Sequence, residues 1–168
     1  PVLRLFKARI DLMENPRNGL TAPRVVLNSK DAVNVVAVVD GTQIVFVRQF
    51  RFGTQTFTLE IPGGLIDEGE NPKDAGVREL REETGYTASD MFPLGKIASN
   101  PVYMDAYVFH YQTTCSALQI RETEFDEGED IEIVLLPIER VKEMLYSGSF
   151  EHPHTISALM YYFHGMGF

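Results

Sequence analysis

The chain is short of the features that mark secreted, membrane-spanning and nucleic-acid-binding proteins. Its single cysteine, Cys115, cannot close an internal disulfide, which fits a reducing compartment and an expected cytoplasmic location. Cys115 sits in a strand-like stretch and reads as buried rather than reactive. The opening "PVLRLFKARIDLME" carries charges throughout and has no signal-peptide pattern. No uninterrupted apolar run approaches the length of a membrane span. Positive charge is scarce as well: 15 Lys and Arg stand against 24 Asp and Glu, a formal net charge of −9. Nonspecific binding to nucleic acid or to an anionic membrane needs a basic footprint, and none is present. The same lack of a basic stripe disfavours an RNA cap hydrolase. An acidic protein can still bind phosphates through metal ions. Internal repeats and low-complexity tracts are absent.

What is present suits one domain with a real core. The chain has 168 residues, 44% of them apolar, including seven tyrosines and eleven phenylalanines. "AVNVVAVV" at Ala32–Val39 and Ile44–Phe50 read as strands. Their near-continuous apolar runs predict central strands covered on both faces. Asp40-Gly41 between them is a hairpin-turn signal. "TFTLEIP" predicts a further strand ended by Pro62 and the Gly63-Gly64 pair. A helix follows, with Asn71 as N-cap, Pro72 in the first helical position, Asp74 in the first turn and Thr84-Gly85 as the stop. Further strands are expected at Leu94–Ala98, Ala106–Thr113 and Ile131–Leu136, and helices at Ile138–Tyr146 and Thr155–Phe163. The order predicts an α/β (α+β) fold, a sheet with helices on its faces. Residues 1–30, with "PRNGL" as a turn, form a small extra β element ahead of a core at 31–168.

The predicted first helix carries Glu79, Glu82 and Glu83, and like charges so crowded repel. At about 100° per residue, with Glu79 at zero, Glu83 falls near 40° and Glu82 near −60°, so the three share an arc of roughly 100°. Val77, Leu80 and Thr84 are expected on the opposite side, against the sheet. Three converging carboxylates are hard oxygen ligands that suit Mg²⁺ or Mn²⁺, and a bound divalent cation would relieve the repulsion. The competing reading is a solvated acidic face paired with Arg78 and Arg81.

The wider spacing decides between the two. Gly64, Glu70, Arg78, Glu79, Leu80, Glu82, Glu83, Gly85 and Tyr86 fall at the positions of the Nudix box, and the segment resembles that motif, with Tyr86 in place of the usual aliphatic residue. The flanking strands extend the resemblance to the Nudix α/β/α sandwich, with a mixed sheet, over most of the chain. The resemblance implies that Glu79, Glu82 and Glu83 bind metal with the backbone carbonyl of Gly63. It implies that Arg78 and Glu70 pair to hold the loop against the helix, with Gly64 and Gly85 as structural glycines.

"VRQFRF" followed by "LEIPGG" resembles the branch of ADP-ribose pyrophosphatases and nucleoside diphosphate sugar hydrolases. That resemblance implies substrate contact by Arg51, with Arg78 also in the substrate set, and a place for Glu60 beside the metal. Pro101, sixteen residues after Gly85, matches a marker of ADP-ribose pyrophosphatases; Tyr103 lies near a marker of dinucleoside polyphosphate hydrolases. The acidic run "RETEFDEGEDIEI" is by composition a solvated loop. By resemblance it supplies the base, Glu129 first and Glu127 second, with Glu82 as the other catalytic candidate. His152 and His154 have a metal-like spacing but read as turn residues. The stripe from Met160 to Phe163 reads as helix packing. The expected activity is Mg²⁺-dependent (Mn²⁺ also fitting) hydrolysis of ADP-ribose or a GDP-mannose-type sugar to a nucleoside monophosphate and a sugar phosphate. The alternatives are a dinucleoside polyphosphate hydrolase and a non-catalytic nucleotide-binding module. The resemblance also implies a homodimer joined through the N-terminal strands, with no nucleic-acid or membrane partner.

Overall fold

The computed structural model describes residues 6–124 and 130–165. Nine strands and three α-helices follow in order: β1 Phe6–Glu14, β2 Thr21–Ser29, β3 Ala32–Val39, β4 Gln43–Arg51, β5 Thr56–Glu60, β6 Gly63–Leu65, α1 Pro72–Thr84, β7 Phe92–Ala98, β8 Tyr107–Cys115, β9 Ile131–Pro137, α2 Ile138–Tyr146 and α3 Pro153–Gly165. β1 and β2 pair as a separate antiparallel ribbon, joined through "PRNGL" as predicted. The other seven form one mixed sheet, in which β3 runs parallel to β8 while the remaining pairs are antiparallel.

The alternation of β3 explains its continuous apolar run. Val33, Val35, Ala37 and Val39 pack toward α1, where Ala75 and Leu80 are buried with them. Val36 and Val38 point the other way and join Ile44 and Phe46 against Val141 of α2 and Ala158, Leu159 and Tyr162 of α3. Helices therefore cover both faces, the layering expected of a fully buried central strand.

The Asp40-Gly41 turn forms as predicted, with both residues at positive φ (46° and 70°). The hairpin it opens is short, however. β3 and β4 pair only at Val38↔Ile44 and Val39↔Gln43 and then diverge. β6 takes the vacated edge of β3, with Asn34 opposite Gly63, while β5 lies along the outer half of β4. That divergence opens the sheet where the glycine loop meets α1. β6 has only three residues, too few to show a period, and was not anticipated as a strand.

α1 begins and ends as its caps dictate. Asn71 accepts from the backbone N–H of Lys73, Pro72 opens the helix, and Gly85 closes it at φ 73°, its N–H bonded to the Arg81 carbonyl. One expectation is corrected. Val77 does not face the sheet and is 36% exposed; the packing stripe is Ala75, Gly76, Leu80 and Thr84. Gly76 sets the approach, since a Cβ there would stand 3.2 Å from Val35 and 3.3 Å from Val33.

Candidate active site

The site grows from the contact between the β6 loop and α1. Glu70 and Arg78 form a two-pronged pair, Nε to Oε1 at 2.9 Å and an Nη2 to Oε2 at 2.9 Å. Glu70 also accepts from the backbone N–H of Asp67 at 3.0 Å, which closes the loop on itself. The Arg78 hydrogen bonds, with the Asp67 amide, hold the Glu70 carboxyl down at about 2. The same guanidinium donates to Glu79 at 2.8 Å, to Glu82 at 3.1 Å and to the Leu65 carbonyl at 3.1 Å. These five contacts use all five of its N–H donors. Arg78 thus braces the loop against the helix.

The glycines are fixed by closeness. A Cβ on Gly64 would lie 2.5 Å from the Glu79 carboxylate, and one on Gly63 would lie 2.1 Å from the Val33 carbonyl. A Cβ on Gly85 would meet the Arg121 carbonyl at 2.2 Å. The two loop glycines let the backbone reach the acidic face of α1.

The three glutamates share one side of α1 but are not drawn to one point. Glu79 and Glu83, one turn apart, line a cleft of ≈ 620 Å³ together with Gly63, Gly64, Asn34, Arg51 and Glu60. Glu83 is only 5% exposed and accepts from the Gly63 N–H at 2.9 Å. Glu82 is not among the residues that line the cleft and accepts from Arg78 and Arg81. Among the described residues no three His, Cys, Asp or Glu side chains are already gathered around a common point. The donor set nevertheless fits a hard divalent cation: it is all oxygen, anionic, and sits at the cleft floor beside backbone. The repulsion raised by the sequence is relieved in this arrangement by the arginine brace.

Arg51 and Glu60 meet across the β4–β5 pair. Arg51 grips the carboxylate with both prongs, at 2.7 and 2.6 Å, and Thr58 donates to the same group. Glu60 is 2% exposed. Burial pushes its carboxyl up, but the Arg51 hydrogen bonds, the Thr58 bond and the Arg51 charge outweigh it and hold the group ionised, below its ordinary range. Both residues line the same cleft as Glu79 and Glu83.

The sequence predicts turn residues at His152 and His154. His152 and His154 also line the cleft, brought there by the start of α3. His152 Nδ1 lies 3.3 Å from Glu60 and 3.0 Å from the Thr155 hydroxyl, and that hydroxyl accepts from the Ile61 N–H at 3.1 Å. Burial pushes the His152 imidazole down to about 4. The only sequence signal was the HxH spacing itself. Cys115 is buried, its thiol pushed up to about 11 by that burial, as an inert cysteine should be. Glu129 and Glu127, the two candidates for the base, lie outside the described residues. The chain leading to them is anchored on α1: the Glu124 N–H bonds the Glu82 carbonyl at 2.9 Å, and its side chain pairs with Arg81 at 2.8 Å.

Known proteins share this chain's sequence pattern and fold. Residues 28–159 match the NUDIX domain. The chain is 31% identical over 144 residues to the ADP-ribose pyrophosphatase of Bacillus subtilis (strain 168), covering 86% of this chain and 78% of that one. It is 30% identical over 131 residues to the ADP compounds hydrolase NudE of Escherichia coli (strain K12), covering 78% and 69%. It is 29% identical over 158 residues to the methanol dehydrogenase activator of Bacillus methanolicus, covering 94% and 85%. Its fold superposes on the crystal structure of an ADP compounds hydrolase with a TM-score of 0.77 over 99% of this chain and 98% of that one, at 24% identity. With the box helix, its arginine brace and the α/β/α layering all in place, the chain belongs to the Nudix family.

Proposed function

We propose that this protein is a divalent-metal-dependent hydrolase of ADP-ribose or a related nucleoside diphosphate sugar, releasing a nucleoside monophosphate and a sugar phosphate. The observation that carries the reading is the pairing, across one cleft, of the α1 glutamates with the Arg51–Glu60 couple. The relatives named for ADP-ribose and ADP compounds support the substrate class.

Glu79, Glu83 and Glu82, with the Gly63 carbonyl, would hold the cation, and Mg²⁺ is the ion proposed. When bound, it supplies charge neutralisation of the diphosphate and a more acidic water. The protein's own groups do the rest. Arg78 fixes Glu79 and Glu82 relative to the loop, so the ligand oxygens are positioned before substrate arrives. Glu60 orients Arg51, whose cation faces the cleft where a diphosphate would lie. Glu129 is assigned as the base that takes the water's proton, with Glu127 in reserve, on sequence position alone.

The assembly proposed is a homodimer through residues 1–30. The ribbon is pinned to its own chain by Arg9 and Asn28 on Asp105, at 2.8 and 3.0 Å. It still leaves Ile10, Leu12, Leu20 and Val25 exposed, Leu12 at 75%. A two-stranded ribbon needs a surface to pack on, and a second copy supplies it. No helix among the described residues is long and apolar enough to cross a membrane; a cytoplasmic location is part of the proposal.

The deciding experiment incubates the protein with ADP-ribose, ADP-glucose, GDP-mannose and a dinucleoside polyphosphate, with and without Mg²⁺, and identifies products by mass. Mg²⁺-dependent release of AMP and ribose 5-phosphate is expected. Turnover of the dinucleoside polyphosphate alone, or of nothing, would overturn the reading.

A further inference from the structure

The cleft has two chemically different walls. On the α1 side lie carboxylates and loop backbone. On the α3 side lie Asn34, His152 and His154, none of which belongs to the box.

The protons on the α3 side can be placed from the hydrogen bonds. Glu60 is an ionised carboxylate 3.3 Å from His152 Nδ1, so that nitrogen carries the hydrogen and shares it with the Thr155 oxygen at 3.0 Å. A neutral ring then has a bare acceptor at Nε2, which bonds nothing among the described residues. Ser157 gives its one hydroxyl hydrogen to the His154 carbonyl at 2.9 Å. His110 Nε2, 3.0 Å from the same hydroxyl oxygen, must therefore be the donor, which leaves His110 Nδ1 as an acceptor. That Nδ1 is buried without a partner. Beside it in register on the next strand stands Asn34, 6% exposed, whose Oδ1 is likewise buried without a partner. Asn34 reaches from that buried row into the cleft, and rotation about its χ2 is soft.

Two acceptors on this wall, His152 Nε2 and Asn34 Oδ1, therefore lack a donor, beside the N–H pair of the Asn34 amide. Phosphate oxygens, which only accept, satisfy neither of this wall's unpaired acceptors. A group bearing several hydroxyls supplies what it lacks, and a buried acceptor left unpaired is costly enough to discriminate. We propose that Asn34 and His152 form a hydroxyl-recognising subsite that takes the polyhydroxylated sugar half of the substrate, while the α1 wall takes the diphosphate. This inference rests on the function proposed above and assigns its specificity to residues outside the box. Glu60 serves it as the group that sets the His152 tautomer.

The test compares two diphosphate substrates in the presence of Mg²⁺: ADP-ribose, and an ADP ester of a hydroxyl-free alkyl alcohol of similar length. Native protein is expected to favour ADP-ribose by on the order of 10²-fold or more in kcat/KM. His152→Phe and Asn34→Val should each cut that preference at least about tenfold, mainly through a higher KM for ADP-ribose. His152→Gln, which restores an acceptor, should recover part of it. Thermal unfolding shows which variants are folded; if Asn34→Val is not, the His152 pair decides. Equal kcat/KM for both substrates in native protein, or a preference unchanged in folded His152→Phe, overturns the subsite and leaves the hydrolase reading standing. No turnover of either ester, nor of ADP-glucose or GDP-mannose, overturns both.

Discussion

Replacing Arg78 by lysine keeps the charge and removes the geometry. The guanidinium makes five contacts, to Glu70 twice, Glu79, Glu82 and the Leu65 carbonyl. An ammonium has three donors and no fork, so it cannot grip Glu70 with two prongs and still reach the helix glutamates. Two or three charge-assisted bonds are lost. At roughly 1 kcal/mol each in a partly exposed network, the variant should be less stable by about 2–3 kcal/mol at pH 7. For a chain of this size that lowers Tm by roughly 4–12 °C.

The pH dependence makes the test sharper. Glu70 is held at about 2 against an ordinary 4.5, so its folded value lies below its unfolded one. Such a group contributes stability above pH 4.5, and that contribution is lost as pH falls through the window from 4.5 to about 2. The full gap would be worth about 3 kcal/mol; Glu70 is 19% exposed, and solvent screening leaves about 1–2 kcal/mol. In Arg78→Lys most of this contribution is gone. The stability difference between the two proteins should be largest at pH 7 and shrink steadily toward pH 2. Urea unfolding followed by circular dichroism at pH 7, 4 and 3, with steady-state kinetics at pH 7, checks both parts. A variant with native stability and native kcat, or a difference that does not change with pH, would refute the brace.

The other expectations concern the helix, the loops and the ribbon. Glu83→Gln and Glu82→Gln should fold and each lose at least about a hundredfold in kcat, since an amide is a poor anionic ligand; near-native turnover with both would remove the metal assignment. Gly64→Ala sets a methyl 2.5 Å from the Glu79 carboxylate and should displace it, costing roughly 1–3 kcal/mol of stability and most of the activity, as measured by melting and turnover. Glu129→Gln should lower kcat by roughly 10²–10⁴ with substrate affinity kept; a normal Glu129→Gln beside a dead Glu127→Gln would move the base by one acidic position. Light scattering should give a dimer of about 38 kDa, twice the 19.0 kDa chain. Deleting residues 1–30 should weaken both the dimer and substrate binding, and a fully active monomer at micromolar concentration would exclude that assembly.

Much of α1 was legible because its signals are local. The Asn71 cap, Pro72 and the Gly85 stop each depend on a few neighbouring residues, and each is found where the sequence predicts it. Val77 breaks the pattern because an apolar side chain need not mark the buried stripe. The helix instead lies on Gly76, close enough to Val33 and Val35 that small size matters more than hydrophobicity. Glu83 shows the same limit from the other side, since a charge can be buried where a backbone N–H and a cleft await it. The histidines were read as turn residues for a related reason. Their role depends on the start of α3 abutting the end of β5, a contact between segments more than ninety residues apart in the Ile61–Thr155 bond. Nothing near "EHPHT" in the sequence announces that neighbour.

The cleft also explains why an acidic enzyme can work on an anionic substrate. Its charged lining is Lys30, Arg51 and Arg78 against Glu60, Asp67, Glu79 and Glu83, three positive and four negative, for a balance of −1 with the histidines neutral. Each of those cations is already turned toward a carboxylate: Lys30 to Asp67, Arg51 to Glu60, Arg78 to Glu70 and Glu79. A diphosphate entering alone would meet a wall of its own sign. A single divalent cation among the α1 glutamates reverses the balance to +1 and does so at the cleft floor, where the reacting phosphorus would have to lie. The arginines then serve as fixed hinges for carboxylates rather than as the main counter-charge. On this reading the glutamates are crowded on α1 so that the site stays anionic, and closed to free phosphates, until the cation that makes it reactive is bound.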